Sequence, residues 1–352
     1  MPARPAPPIE FPSTVRADGR SPAPLYPLRF EPIYQYRPWG GRRFVDLFAA
    51  PMPDGPVGEA WLLSDRDEHQ SRVANGPLKG LSISQLIERW PEHVLGSSAG
   101  RFRRFPLLLK FIDARETLSV QVHPSDRQAS DLRLDDSGKT EAWVVLEAEP
   151  DSLIYAGLKP GTTADDLRRS TSGAAVRERL ACFTPKAGDG VFLPAGTVHA
   201  IGTGVVLFEV QQNSDQTFRL YDWDRVDPRT GEPRALQVDR ALACADFSTG
   251  PVLPVLPVEQ RRDPVLVEEL FRCEQFGLRR FCGESRFSVG AQGTPRVLVC
   301  ISGQGNLEHD ERIFALRTGD VVLLPAAVGA CDFQPSPAAI LLEVALPDGT
   351  SR

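Results

Sequence analysis

Gly188-Asp189-Gly190-Val191-Phe192-Leu193-Pro194-Ala195-Gly196-Thr197-Val198-His199 returns later in the chain as Gly319-Asp320-Val321-Val322-Leu323-Leu324-Pro325-Ala326-Ala327-Val328-Gly329-Ala330. Each copy reads as a Gly-Asp turn, a short apolar strand and a Pro-Ala turn. A hydrophobic strand precedes each, at 143–146 and at 297–301. Two similar β units predict a mainly β, bicupin architecture: two jelly-roll-like β-barrels with a few short helices. The copies differ at their last position, where His199 is replaced by Ala330. An alanine cannot bind metal, so the second unit is expected to be a packing partner without a metal centre.

Outward from the repeat, the pattern stays that of an all-β protein, short apolar runs broken by Gly, Pro and Asp. Strands are expected at 106–113, 117–122, 141–148, 190–193, 205–211 and 217–222. Helices are few. Ser82 or Ser84 can cap one that runs to Trp90, Thr162 or Thr163 opens another toward Leu180, and a third is expected at 239–245. Residues 1–28 are Pro-rich and poor in large apolar side chains, which predicts a disordered tail. The organisation expected is therefore a tail at 1–28, a metal-binding unit at 29–250, a linker at 251–262 and a degenerate cupin-like unit at 263–352. The Pro-rich run 251–257 reads as linker or edge strand.

The 352 residues carry 46 acidic and 40 basic side chains, a net charge of −6. That balance argues against nucleic acid as a partner, because phosphate contacts need clustered Lys and Arg. No apolar run approaches the ~20 residues of a membrane span, and the N-terminus lacks the apolar core of a secretory signal. A cytoplasmic protein is expected. The six cysteines form no CxxC pair and read as reduced core residues. Of the five histidines, His69, His93 and His309 lie in charged segments and are expected to face solvent.

The other two histidines stand in a different context. Alternation along Leu118-Ser119-Val120-Gln121-Val122-His123-Pro124 puts Ser119, Gln121 and His123 on one face, Val120 and Val122 on the other. Three polar groups facing a core are costly unless they are bonded to something. Gly138-Lys139-Thr140-Glu141 sets a carboxylate at the mouth of the next strand, and His199 follows the first repeat's turn. Gln121, His123, Glu141 and His199 can converge in one barrel, a donor set that suits a borderline metal such as zinc with room left for water or substrate. Glu209 is the single acid in the strand 205–211, and Arg219 follows the polar loop Gln212-Asn213-Ser214-Asp215-Gln216. Lys110 interrupts the apolar run 106–112, where it must find an anion or lose its charge. Taken singly, Lys110 or Arg219 could instead be a structural partner of Glu209 or Asp215, and Lys139–Glu141 an ordinary surface pair.

Together these segments resemble the type I mannose-6-phosphate isomerases, zinc-dependent cupin enzymes, in the shorter bacterial class. The resemblance rests on Trp39-Gly40-Gly41, Gly58-Glu59-Ala60-Trp61, residues 106–113, 118–124, 138–141 and 194–202, Gln211-Gln212-Asn213-Ser214-Asp215 and Arg219-Leu220-Tyr221-Asp222. It covers roughly residues 30–250 closely and the remainder only in general shape. It implies zinc ligands His123, Glu141 and His199, with Gln121 as a fourth. Lys139, Glu209, Asp215 and Arg219 fall on active-site positions, Lys110 and Ser119 on positions lining a sugar-phosphate pocket. Many members carry His before the lysine, where this chain has Gly138, so a proton-transfer role for that histidine is absent. The expected reaction is aldose–ketose isomerisation of mannose 6-phosphate and fructose 6-phosphate through a cis-enediol. Proton shuttling falls to the Lys139, Glu209 and Asp215 group, with no choice among them.

Three other readings bear on the same residues. A cupin oxygenase would need a His-x-His pair where Gln121 stands. A sugar-binding cupin without turnover, or an isomerase of another or unphosphorylated sugar, would use much the same pocket. The sequence leaves open whether the chain is a monomer or a weak homodimer.

Overall fold

The computed structural model describes residues 25–48, 51–170 and 173–346. Three antiparallel sheets dominate, of six, five and nine strands. The six-stranded sheet is ordered Gly190–Leu193, Glu141–Ala148, Val205–Gln212, Leu107–Ala114, Ile33–Gly41, Val57–Leu63. The five-stranded sheet runs Leu180–Phe183, Ile154–Leu158, His199–Ile201, Val120–Val122, Phe218–Tyr221. Their inner faces share one apolar cluster, in which Ile112, Trp143, Val145 and Leu207 of the first meet Ile154, Ala156 and Ile201 of the second. A cupin-like sandwich results, with polar positions held between two sheets.

Side-chain alternation assigns the faces. Val120, Val122, Val198, Ala200, Phe218 and Leu220 point outward, into a cluster with Leu167, Val176, Ala241 and Leu242. The latter four belong to the short helices Ala164–Arg169, Gly173–Arg177 and Val238–Cys244. Period-two geometry then turns Gln121, His199 and Arg219 inward. The outer face of the six-stranded sheet, through Phe111, Val144 and Phe208, joins the cluster that includes Val267, Phe281, Val299 and Leu323 of the nine-stranded sheet.

The repeat is local structure twice over. Gly190–Leu193 pairs with Glu141 to Val144, and Val321–Leu324 pairs with Arg296 to Val299. Both turns begin on a glycine at positive φ, 90° at Gly188 and 92° at Gly319. In both, the aspartate accepts a 2.8 Å bond from the backbone N–H three residues earlier, Lys186 for Asp189 and Arg317 for Asp320.

Several expectations shift. Residues 1–24 of the expected tail lie outside the described residues, but Leu25, Tyr26 and Leu28 are buried, and Leu28–Arg29 pairs with Val322 and Leu323. The packed chain thus begins earlier than the composition implied. The helix expected at 82–90 is Ile83–Arg89, with a capping box on Ser82. The next helix, Pro91–Leu95, meets the second repeat, where Ala326 N–H donates to Val94 O and Ala327 N–H to His93 O. Contacts therefore cross the sequence boundary drawn at 251–262. Within that stretch Val258–Arg261 forms an exposed strand on the edge of the nine-stranded sheet. The helix expected from Thr162 or Thr163 to Leu180 is two short helices. Residues 171–172 between them lie outside the described residues.

All six cysteines are free; Cys244, Cys300 and Cys331 are buried, whereas Cys182 is exposed. Of the three histidines expected in solvent, His93 is exposed, while His309 is half-buried and His69 packs edge-on against Trp61. Among the described residues, no helix is long and apolar enough to cross a membrane.

Candidate metal centre and active site

His123, Glu141 and His199 are the residues whose ligand atoms come together, all within 4.8 Å of one another and all buried. Glu141 opens its strand in the six-stranded sheet; His199 opens one in the five-stranded sheet, and His123 follows Val120–Val122. The centre therefore bridges the two sheets. His123 Nδ1 lies 2.7 Å from Gln216 O and His199 Nδ1 lies 2.9 Å from Thr197 O. A carbonyl only accepts, so each Nδ1 carries the proton and each Nε2 keeps its lone pair. Those lone pairs face the carboxylate: His123 Nε2 is 3.4 Å from Glu141 Oε2, and His199 Nε2 is 3.2 Å from Oε1.

Glu141 Oε1 is buried and accepts no hydrogen bond. Lys139 Nζ, 3.2 Å from His123 Nε2, meets one side of this convergence, but the His199 lone pair and Glu141 Oε1 still face each other with no cationic side chain between them among the described residues, and repel unless a cation binds there. The donor set fits a divalent ion that favours nitrogen and oxygen. Backbone carbonyls orienting the second ring nitrogens are what a metal-binding histidine needs. The Gln121 amide Nε2 stands 3.2 Å from His199 Nε2, so Gln121 borders the same centre.

Charges alternate from this centre outward. Lys139 Nζ is 2.9 Å from Glu141 Oε2 and 4.0 Å from Glu209 Oε1. Lys110 Nζ is 3.0 Å from Glu209 Oε1 and 3.8 Å from Glu59 Oε2. Arg37 closes the row with two 3.1 Å bonds to Glu59. Two indoles brace it, Trp143 Nε1 donating to Glu209 at 2.8 Å and Trp61 Nε1 to Glu59 at 2.7 Å.

Burial and charge set the protonation states. Burial opposes ionisation of Glu141, yet Lys139 and the two histidines outweigh it and hold its carboxyl at about 2. Burial, reinforced by the Lys139 charge, keeps His123 neutral to well below the usual histidine range; burial lowers His199 too. Burial also works against the Lys110 ammonium, but Glu209 and Glu59 more than restore it and push its pKa up. Glu209 goes the other way: burial and the neighbouring Glu141 charge raise its carboxyl, against the pull of Lys110 and Lys139. A carboxyl raised toward neutrality is suited to move protons.

A cavity of about 480 Å³ opens above this row, with Ser119, Gln121, Lys139, Glu209, Arg219 and Asp215 on its wall. The buried metal triad does not itself line the cavity but adjoins it through Gln121, beside His199, and Lys139, beside Glu141; the other sequence-expected site residues are on the wall. Lys110 also reaches the wall, as the buried partner of Glu209. Asp215 is the outlying member, on the exposed rim. Gly138 is more than an exchanged residue: a Cβ there would lie 2.3 Å from the backbone nitrogen of Asp126. No side chain fits that position in this chain.

The chain's similarities agree with this geometry. Residues 28–142 match the family described as phosphomannose isomerase type I, catalytic domain. Mannose-6-phosphate isomerase ManA of Bacillus subtilis is 35% identical over 303 residues, 86% of this chain and 94% of its own length. The chain belongs to the type I phosphomannose isomerase family. The mannose-6-phosphate isomerase of Streptococcus mutans is 33% identical over 87% of this chain and 95% of its own. Among solved structures, the Bacillus subtilis mannose 6-phosphate isomerase superposes with a TM-score of 0.83 at 28% identity. The match covers 92% of this chain and all of that one.

Sequence reasoning gave no role to Glu59, Arg37, Trp61 or Trp143. Glu59 was findable, because it is a lone acid inside the apolar run Val57–Leu63, the signal that singled out Lys110 and Glu209. Trp61 stood beside it in Gly58-Glu59-Ala60-Trp61 without a role, and Arg37 and Trp143 left no comparable trace.

Proposed function

We propose that this protein is a zinc-dependent isomerase that interconverts mannose 6-phosphate and fructose 6-phosphate. The observation that carries the reading is the buried His123–Glu141–His199 centre next to a cavity walled by Lys110, Lys139 and Arg219, in a chain of this family. Two imidazoles and a carboxylate, with Gln121 beside them, are ligands zinc prefers. When bound, the ion supplies Lewis-acid polarisation of the sugar's C1 and C2 oxygens.

The chain's own groups do the rest. Isomerisation takes a proton from C2 of the aldose and returns one at C1 through a cis-enediol. Glu209, with its raised carboxyl between two lysines, is suited to hold that proton, and Lys139 and Asp215 are further cavity groups able to pass it. Arg219 offers a planar fork to developing oxyanions or to phosphate. The buried Lys110 keeps its charge and adds to the field that draws an anionic sugar. On this reading residues 29–250 are the reacting unit and 263–352 a support: the second repeat ends in Ala330, and the described residues hold the metal-type cluster only in the first.

The test is turnover of mannose 6-phosphate by zinc-loaded protein against a chelator-treated control. Zinc-dependent formation of fructose 6-phosphate is expected; stoichiometric metal with no turnover would point to another sugar or to binding alone. Arg219→Ala is expected to lower kcat about 10²-fold, the scale of other preorganised donors. Wild-type kcat in that variant would remove Arg219 from the chemistry.

A further inference from the structure

After the strand Phe218–Tyr221 the chain leaves the sheet at Asp222 and comes back at Gln237, beside Arg219. Gln237 N–H donates to Arg219 O at 2.9 Å, and Arg219 N–H donates to Gln237 Oε1 at 3.0 Å. Three residues before that return stands Arg234, on the wall of the same cavity as Arg219. Nothing in the sequence pattern singles it out.

Its guanidinium is fixed. Arg234 Nε donates to Asp222 Oδ2 at 2.8 Å and Nη2 to Oδ1 at 2.6 Å, a two-point fork on a buried carboxylate that also holds Arg225. This grip uses one edge of the guanidinium and leaves Nη1 without a bonded partner among the described residues. Arg219 is also uncommitted: its Nε is buried with no hydrogen-bond partner. Burial and the nearby Arg234 charge both work against the Arg219 guanidinium. Three acids on the same wall are occupied, Glu59 and Glu209 with Arg37 and Lys110, Asp227 with the Tyr36 hydroxyl and the Arg229 N–H; Asp215, on the exposed rim, supports the Arg219 charge only at a distance and forms no ion pair with it. Two guanidiniums on one wall with spare donors make a seat for an oxyanion that presents several oxygens.

We propose that Arg234, positioned by Asp222, recognises the phosphate of the substrate together with Arg219 and sets the preference for phosphorylated over neutral sugars. The proposal rests on the sugar-phosphate reading above and names the residue through which that reading acts.

The experiment compares zinc-loaded full-length wild type with Arg234→Gln, Arg234→Lys and Asp222→Asn. Arg234→Gln should raise KM for mannose 6-phosphate about tenfold or more, with kcat changed by less than about threefold, as loss of one fork worth ~1.4 kcal/mol would do. Competitive inhibition by inorganic phosphate should weaken by a similar factor, while inhibition by the neutral polyol sorbitol stays unchanged. Arg234→Lys, which keeps the charge without the fork, should restore only part of the affinity. Asp222→Asn should weaken phosphate inhibition in the same sense but less.

Unchanged KM and unchanged phosphate inhibition in Arg234→Gln would overturn the proposal, as would equal losses for phosphate and sorbitol. Were wild type inactive on mannose 6-phosphate, the isomerase reading would fall. Calorimetric binding of inorganic phosphate to wild type and Arg234→Lys still decides the role of Arg234, since equal affinities overturn it.

Discussion

Glu141→Gln is expected to bind less than a tenth of the metal held by wild type and to lose turnover by about 10³-fold or more, roughly 4 kcal/mol of transition-state stabilisation. The amide keeps the shape of the carboxylate but removes the charge on which His123, His199 and Lys139 converge. Metal analysis and kinetics on the same preparation check it; full metal content with full activity would mean the centre lies elsewhere. The protonation states add a pH expectation. A ligand must be deprotonated to hold the ion. Glu141 is held at about 2 and burial lowers both histidines below their usual range, so all three are in the ligating form at neutral pH. Wild type should keep its metal there, and lose it only on acidification.

Two members of the triad were legible in the sequence because they broke a local rule, whereas Glu141 read as no more than a carboxylate at a strand mouth. Gln121 and His123 placed polar groups on the inward face of a strand whose other face is valine, and His199 ended a repeat whose second copy ends in Ala330. Lys110 and Glu209 were charges inside apolar runs, and they prove to be each other's partner at 3.0 Å. The structural alternative for Lys110 and its place in the cavity wall are therefore both true. Arg219 forms no ion pair among the described residues, and its spare donors mark it out instead.

What escaped has a physical reason too. The division at 251–262 followed composition, whereas packing followed apolar faces, so that Leu28 and the helix Pro91–Leu95 joined the C-terminal repeat. Arg234 sits in a polar connection between a strand and a helix, where an arginine is ordinary. Only the return of the chain to Arg219 gives it meaning. Pattern reports which residues are inside; it does not report where a loop comes back.

Lys110→Met tests whether the row of alternating charges acts as a unit. Lys110 is 4% exposed and lies between two buried carboxylates, Glu209 and Glu59. Removing one partner of a buried pair costs about 3–5 kcal/mol, because the remaining charge is stranded. The melting temperature should fall by on the order of 10 °C. The chemistry should suffer in a recognisable way. Burial and Glu141 already raise the Glu209 carboxyl, with Lys110 the first influence opposing them. Without Lys110 that carboxyl rises further, so the fraction ionised at neutral pH drops. A carboxylate is present above its pKa, hence the acidic limb of kcat should move to higher pH and part of the loss should return on raising pH. The double variant Lys110→Met, Glu209→Gln separates the two effects: with neither charge stranded between these positions, it should regain much of the stability and none of the activity. A single variant as stable as wild type, with an unmoved pH profile, would show that Lys110 neither holds Glu209 nor tunes it.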